Sequence, residues 1–166
     1  MSEKFTFFYG KESVFSQFHP CTFQFKNKTF NCAEQFMMFN KAYFFGDLEM
    51  MEAIMASDKP VEIKRFGRLV TPFSPAQWAG VAEKVVFKGN LAKFSQNESL
   101  KQQLLATAGT TLVEASPRDL IWGIGLGANN PKALDRKHWR GKNLLGEILT
   151  QVREKIIADS KSVEKK

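Results

Sequence analysis

Apolar and polar positions alternate with period two in Thr22-Phe23-Gln24-Phe25, and Thr29-Phe30 resumes after Lys26-Asn27-Lys28. This pattern predicts a short β-hairpin closed by a polar turn. Upstream, Phe5 to Tyr9 alternates poorly but is rich in strand formers. Past the hairpin the period changes. Asn31 with Glu34 three residues later has capping-box form, and an apolar stretch with helical character runs on to about Phe45. Between Asp47 and Ala56, residues Leu48, Met51, Ile54 and Met55 recur at helical spacing. Asp58 and Pro60 open a further short helix, expected to stop near Gly67. Ser74-Pro75-Ala76-Gln77 repeats the capping-box form with Pro at the first helical position, and predicts a long helix to about Phe94. Asn97 is the expected cap of the next helix, which Gly109 should end. Thr111-Leu112-Val113-Glu114 reads as a strand, and a last helix is expected from about Leu144 to Ile157.

These elements imply an α+β domain, mostly helical, with a small sheet. The body shows no linker and no internal repeat, so residues 1–158 are expected to be one domain and 159–166 a flexible basic tail. One segment does not fit the periodic scheme. From Ser116 to Asn143 about 27 residues run without clear periodicity, and loops of that length in compact domains are functional or disordered. This loop concentrates Asp119, Trp122, Gly123, Gly125, Gly127, Trp139, Gly141 and Asn143. Glycines, rings and amides together suit a pocket that stacks a planar group and lets backbone donors approach a ligand.

Composition narrows the class. The chain has 166 residues, 43% hydrophobic, with 16 Phe, enough to bury a core without staples. No apolar run reaches the ~18 residues of a membrane span, and no signal peptide is evident. Two cysteines, Cys21 and Cys32, with His19 and His138, make neither a disulfide framework nor a zinc site. A reducing, cytoplasmic compartment is expected, with no metal and no cofactor. The net charge of +7 points to anionic partners, either nucleic acid or phosphate-bearing small molecules. Part of the excess lies in the tail at Lys155, Lys161, Lys165 and Lys166. There is no phosphate-cradling P-loop, no dinucleotide fingerprint and no nucleophile elbow.

Four constellations carry chemistry. Glu34 and Lys41 lie seven apart, within about 20° of one another on a helix, so a carboxylate and an amine share an otherwise apolar face. Closing the capping box is the plain role for Glu34, and an apolar stem with a solvated head the plain role for Lys41. Asp119 sits beside Trp122 and Gly123, where it either bonds local backbone or presents a carboxylate next to a stacking ring. Trp139-Arg140-Gly141-Lys142-Asn143 leads into a helix, whose first amides can hold an anion or simply be capped by Asn143. Arg68 follows Gly67 and is either a phosphate fork or a cation at a helix C-terminus.

Taken together these segments resemble the NADAR family, which includes the YbiA-like N-glycosidases. The resemblance rests on Phe15-Ser16-Gln17-Phe18, Ala33-Glu34-Gln35 with Lys41, Gly67-Arg68, Trp78 and Leu91-Ala92-Lys93-Phe94. It continues through Leu112-Val113-Glu114, Asp119 with Trp122-Gly123, and Gly141-Lys142-Asn143-Leu144-Leu145-Gly146, spanning residues 7 to 156. Two features depart from the family: Gln17 stands where an Asn is commoner, and residues 124–139 are longer than in the short bacterial forms. The resemblance implies a YbiA-like fold and hydrolysis of a ribosyl C–N bond. The family's substrates are guanine bases carrying ADP-ribose, in DNA or RNA, and aminopyrimidine ribosyl phosphates of riboflavin synthesis. On that reading Glu34, Lys41 and Asp119 are the expected catalytic residues. Phe18, Arg68, Trp78, Trp122, Gly123, Trp139, Gly141, Lys142 and Asn143 are the expected substrate contacts. A module that binds ADP-ribose or nucleic acid without cleaving it is the alternative.

Overall fold

The computed structural model describes residues 3–164. Met1, Ser2, Lys165 and Lys166, which include part of the expected tail, lie outside the described residues. Within the chain, residues 17–97 form one compact unit. The segment before residue 17 and the residues from 98 onward form another.

In the first of these, β1 (Phe23–Phe25) and β2 (Lys28–Phe30) pair as the expected antiparallel hairpin, with Phe23 opposite Phe30. The turn needs left-handed backbone, which Lys26 and Asn27 adopt at φ 48° and 67°. Both inward residues of the hairpin are almost fully buried, and Phe36 meets them edge-on or tilted at 5.1 and 5.9 Å between centroids. Each such ring pair adds about 0.5–1.5 kcal/mol beyond its buried area. Four helices complete the unit: α1 (Ala33–Phe45), α2 (Leu48–Met55), α3 (Pro60–Arg68) and α4 (Pro75–Gln96). Helix α1 is central and packs against the other three, which is why Cys32 to Phe39 are buried on every side of it.

One start differs from the pattern reading, and one glycine near a helix end has a different role from the expected one. The α1 cap is Cys32, whose Sγ accepts from the Gln35 amide at 3.4 Å, while Gln35 Oε1 reaches back to the Asn31 amide at 2.8 Å. The box is thus shifted by one residue, and Gln35 fills the place expected for Glu34. Helix α3 stops near Gly67, one residue past it, but this glycine lies inside the helix, where a Cβ would run into Met38 of α1. Close packing of two helices, not chain reversal, is what this glycine serves. Ser74 caps α4 as expected, accepting from the Gln77 amide, and Asp47 caps α2, accepting from the Met50 amide.

In the other unit, β3 (Phe5–Phe8) runs parallel to β4 (Thr111–Glu114), with Phe5 opposite Thr111 and Phe8 opposite Glu114. The small sheet is therefore two separate pairs of strands. Helix α5 (Glu98–Leu105) precedes β4, and α6 (Leu144–Glu164) packs on that strand. Helix α6 continues past Ile157, through the start of the expected tail. The long loop between β4 and α6 folds over the strand with two short 3-10 turns, Pro131–Leu134 and Arg136–His138. It encloses a core of Val113, Ile124, Leu126 and Ala133, against which Phe5, Phe7 and Trp139 pack.

Candidate functional site

Helix α1 sets the first cluster. Glu34 occupies its second position, and its amide donates to the Gln17 carbonyl at 2.9 Å. Gln35 takes the capping duty at this helix end, and Glu34 beside it is only 7% exposed. Lys41 stands two turns further along, partly buried, with Nζ 4.4 Å from the Phe73 ring centroid. Burial lowers its pKa below the usual amine value; the Glu34 charge opposes that shift and the Arg68 guanidinium adds to it. Both residues lie on α1, and the Glu34 charge acts on the Lys41 amine. Arg68 is exposed at the last position of α3. Phe18 is partly buried, with Lys64 Nζ 5.7 Å from its ring. Trp78 is buried on α4, its ring 6.5 Å from that of Phe44. Two amides unnoticed as site candidates lie beside the start of α1. Asn90 Nδ2 donates to Gln17 Oε1 at 2.8 Å, and Gln17 Nε2 and Asn90 Oδ1 are buried without partners.

The second cluster is built by the long loop on β4. Asp119 Oδ1 accepts from the amides of Ile121 and Trp122 at 2.9 and 2.8 Å, the Asx-turn role that its place in a loop suggested. The turn leaves Oδ2 outside it and sets Trp122, partly buried, at its exit. Gly123 follows because a Cβ there would sit 3.0 Å from the Glu114 carbonyl oxygen and the Ser116 Cβ. Gly141 is crowded further: a Cβ would enter the Gly123 carbonyl and the Leu120 backbone. Lys142 is anchored by its amide to the Leu120 carbonyl at 2.9 Å and exposes its side chain. Trp139 donates through Nε1 to the Ala133 carbonyl at 2.9 Å, and its ring lies 5.1 Å from Phe5.

Asn143 differs from its expected geometry. It is fully buried at φ 54°, and its side chain turns away from α6 toward the strand. Oδ1 accepts from the Glu114 amide at 2.9 Å and Nδ2 donates to the Leu112 carbonyl at 3.0 Å. It stitches the loop to β4 rather than capping α6. Glu114, read from the sequence as the end of a strand and as part of the family-like segment but not as a site residue, is the titratable group most displaced in this unit toward neutrality. Burial first, and the Asp119 charge second, push its carboxyl up to about 8. A single Glu at a strand end carries no spacing signal, so pattern reading had nothing to find it by.

With the residues placed, comparison with known proteins decides the family. The NADAR domain model matches residues 7–157. The chain belongs to the NADAR family. NADAR relatives include N-glycosidase R617 of Acanthamoeba polyphaga mimivirus, 41% identical over 92% of this chain and 96% of that one. Protein irg-1 of Caenorhabditis elegans is 39% identical over 92% of this chain and 79% of its own. The NMR structure of YbiA from E. coli superposes with a TM-score of 0.78 at 30% identity, covering 96% of this chain and 89% of that one. No group of three His, Cys, Asp or Glu among the described residues could hold a metal. No helix among them is long and apolar enough to cross a membrane.

Proposed function

We propose that this NADAR chain is an N-glycosidase that hydrolyses a ribosyl C–N bond. The observation that carries the reading is the pair on α1: a buried Glu34 carboxylate and a partly buried Lys41 amine whose charged form burial disfavours. Cleavage of an N-glycoside develops positive charge at the anomeric carbon, which carboxylates stabilise. Glu34 and Asp119 are the carboxylates for that work, one as general base toward water. A Lys41 amine depleted of its proton can attack C1 of a ring-opened ribose. The base nitrogen then leaves with a proton, and water hydrolyses the imine to return the amine. Arg68 and Lys142 are the phosphate partners, and Trp122 is the ring platform. Two relatives named N-glycosidases, R617 and YbiA, support the same activity.

The shared substrate chemistry is a phosphorylated ribose joined through C1 to nitrogen. Two sources fit it: guanine bases of DNA or RNA carrying ADP-ribose, and an aminopyrimidine ribosyl phosphate of riboflavin synthesis. Incubation with each, followed by chromatography of the released sugar, assigns the source. Tight binding with no release from either would replace the enzyme by a non-catalytic reader.

A further inference from the structure

We propose that Glu114 is the proton donor to the leaving nitrogen, because its buried, unpartnered Oε2 stands at the end of β4 beside the Asp119 turn. The inference rests on the N-glycosidase reading and adds the residue that protonates the departing base. The geometry begins with the backbone. Both hydrogen-bonding groups of Glu114 are occupied: its amide donates to Asn143 Oδ1 and its carbonyl accepts from the Ile124 amide at 3.0 Å. The residue is therefore held on both sides, while Oε2 is buried without any hydrogen-bond partner. A buried ionised carboxylate with an unmet oxygen is costly, and a carboxylic acid with one proton is the form that such a place tolerates.

Its neighbours agree. Strand β3 brings no titratable side chain against β4. On α6, Glu147 pairs with Arg136, and Arg153 pairs with Glu154 and the Thr107 carbonyl. The charge that acts on Glu114 is that of Asp119, a like charge, and it acts after burial in the same direction. Asp119 is itself held in its turn, with Oδ1 accepting from the amides of Ile121 and Trp122. The step balances simply. The C1–N bond breaks with its electron pair going to nitrogen, the Glu114 proton passes to that nitrogen, and Glu114 is left ionised until water entering at C1 returns a proton.

The test uses the full-length chain and whichever of the two substrates it turns over. The kcat/KM of the wild type should fall as pH rises through about 8. Glu114→Gln should be slower by ~10²-fold or more, with that alkaline limb gone. A variant that keeps the rate, or is slowed equally at every pH with the limb intact, overturns the assignment and leaves the N-glycosidase reading standing. Carbon-13 NMR of Glu-labelled wild type should show one carboxyl titrating near 8. Its absence also overturns the assignment, whether or not the variant folds. A wild type that releases sugar from neither substrate removes the N-glycosidase reading, and the proton-donor role with it.

Discussion

At the scale of the residue, Lys41 is the group whose behaviour is easiest to separate from its neighbours. Its amine keeps the negative charge of Glu34 and an aromatic face nearby, yet burial leads the shift toward the neutral form. Borohydride added during turnover should trap a covalent sugar adduct on the wild type and none on Lys41→Arg, read by intact-protein mass spectrometry. A fully active wild type with no adduct would exclude the imine route. Glu34→Gln keeps the shape of a side chain that no longer has to cap α1, so the fold should hold while kcat falls by ~10²-fold or more. Asp119→Asn preserves the Oδ1 acceptor of its turn, and the same assay should show a comparable loss. Near-normal turnover in either variant would remove that carboxylate from the mechanism.

At the scale of the element, the loop from β4 to α6 is held by backbone, and its weak points are those where backbone meets a side chain. Asn143→Ala removes the two bonds to β4 at once, leaving the Glu114 amide and the Leu112 carbonyl unsatisfied in the interior. Each lost partner costs about 1–3 kcal/mol, and Ala is also strained at φ 54°. Denaturant unfolding should report a loss of that order, with Asn143→Gly recovering only the strain. The hairpin and the helices were legible from pattern because each is decided locally. Period-two alternation around Lys26-Asn27 needs only its turn, and Ser74 or Asp47 caps from one residue away. The α1 cap was misplaced by one residue because Asn31 and Cys32 are both capable acceptors. The choice was made by Gln35, which also donates to the Ile54 and Ser57 carbonyls near the end of α2.

At the scale of the whole molecule, pH reports the buried charges. Glu114 has a folded pKa raised from 4.5 to about 8, so its contribution to stability is complete below 4.5 and is lost as pH rises through about 8. Lys93, with 0% exposure, runs the other way. Burial lowers its pKa from 10.5 to about 8, so its contribution is present above 10.5 and lost as pH falls through about 8. Melting temperature should therefore decline from mildly acidic pH toward 8, and Glu114→Gln should flatten that decline. An unchanged slope in the variant would show that other groups cause it. Fold class, the hairpin, the helices and the Glu34–Lys41 face were legible in the sequence alone because periodicity and short-range spacing express them, and the family through the order of its motifs along the chain. The parallel pairing of Phe5–Phe8 with Thr111–Glu114 joins segments over a hundred residues apart, and no local pattern encodes such a partner. The proton on Glu114 depends on the same long-range assembly. Only when the loop closes over β4 does an ordinary glutamate lose its water and gain Asp119 as a neighbour.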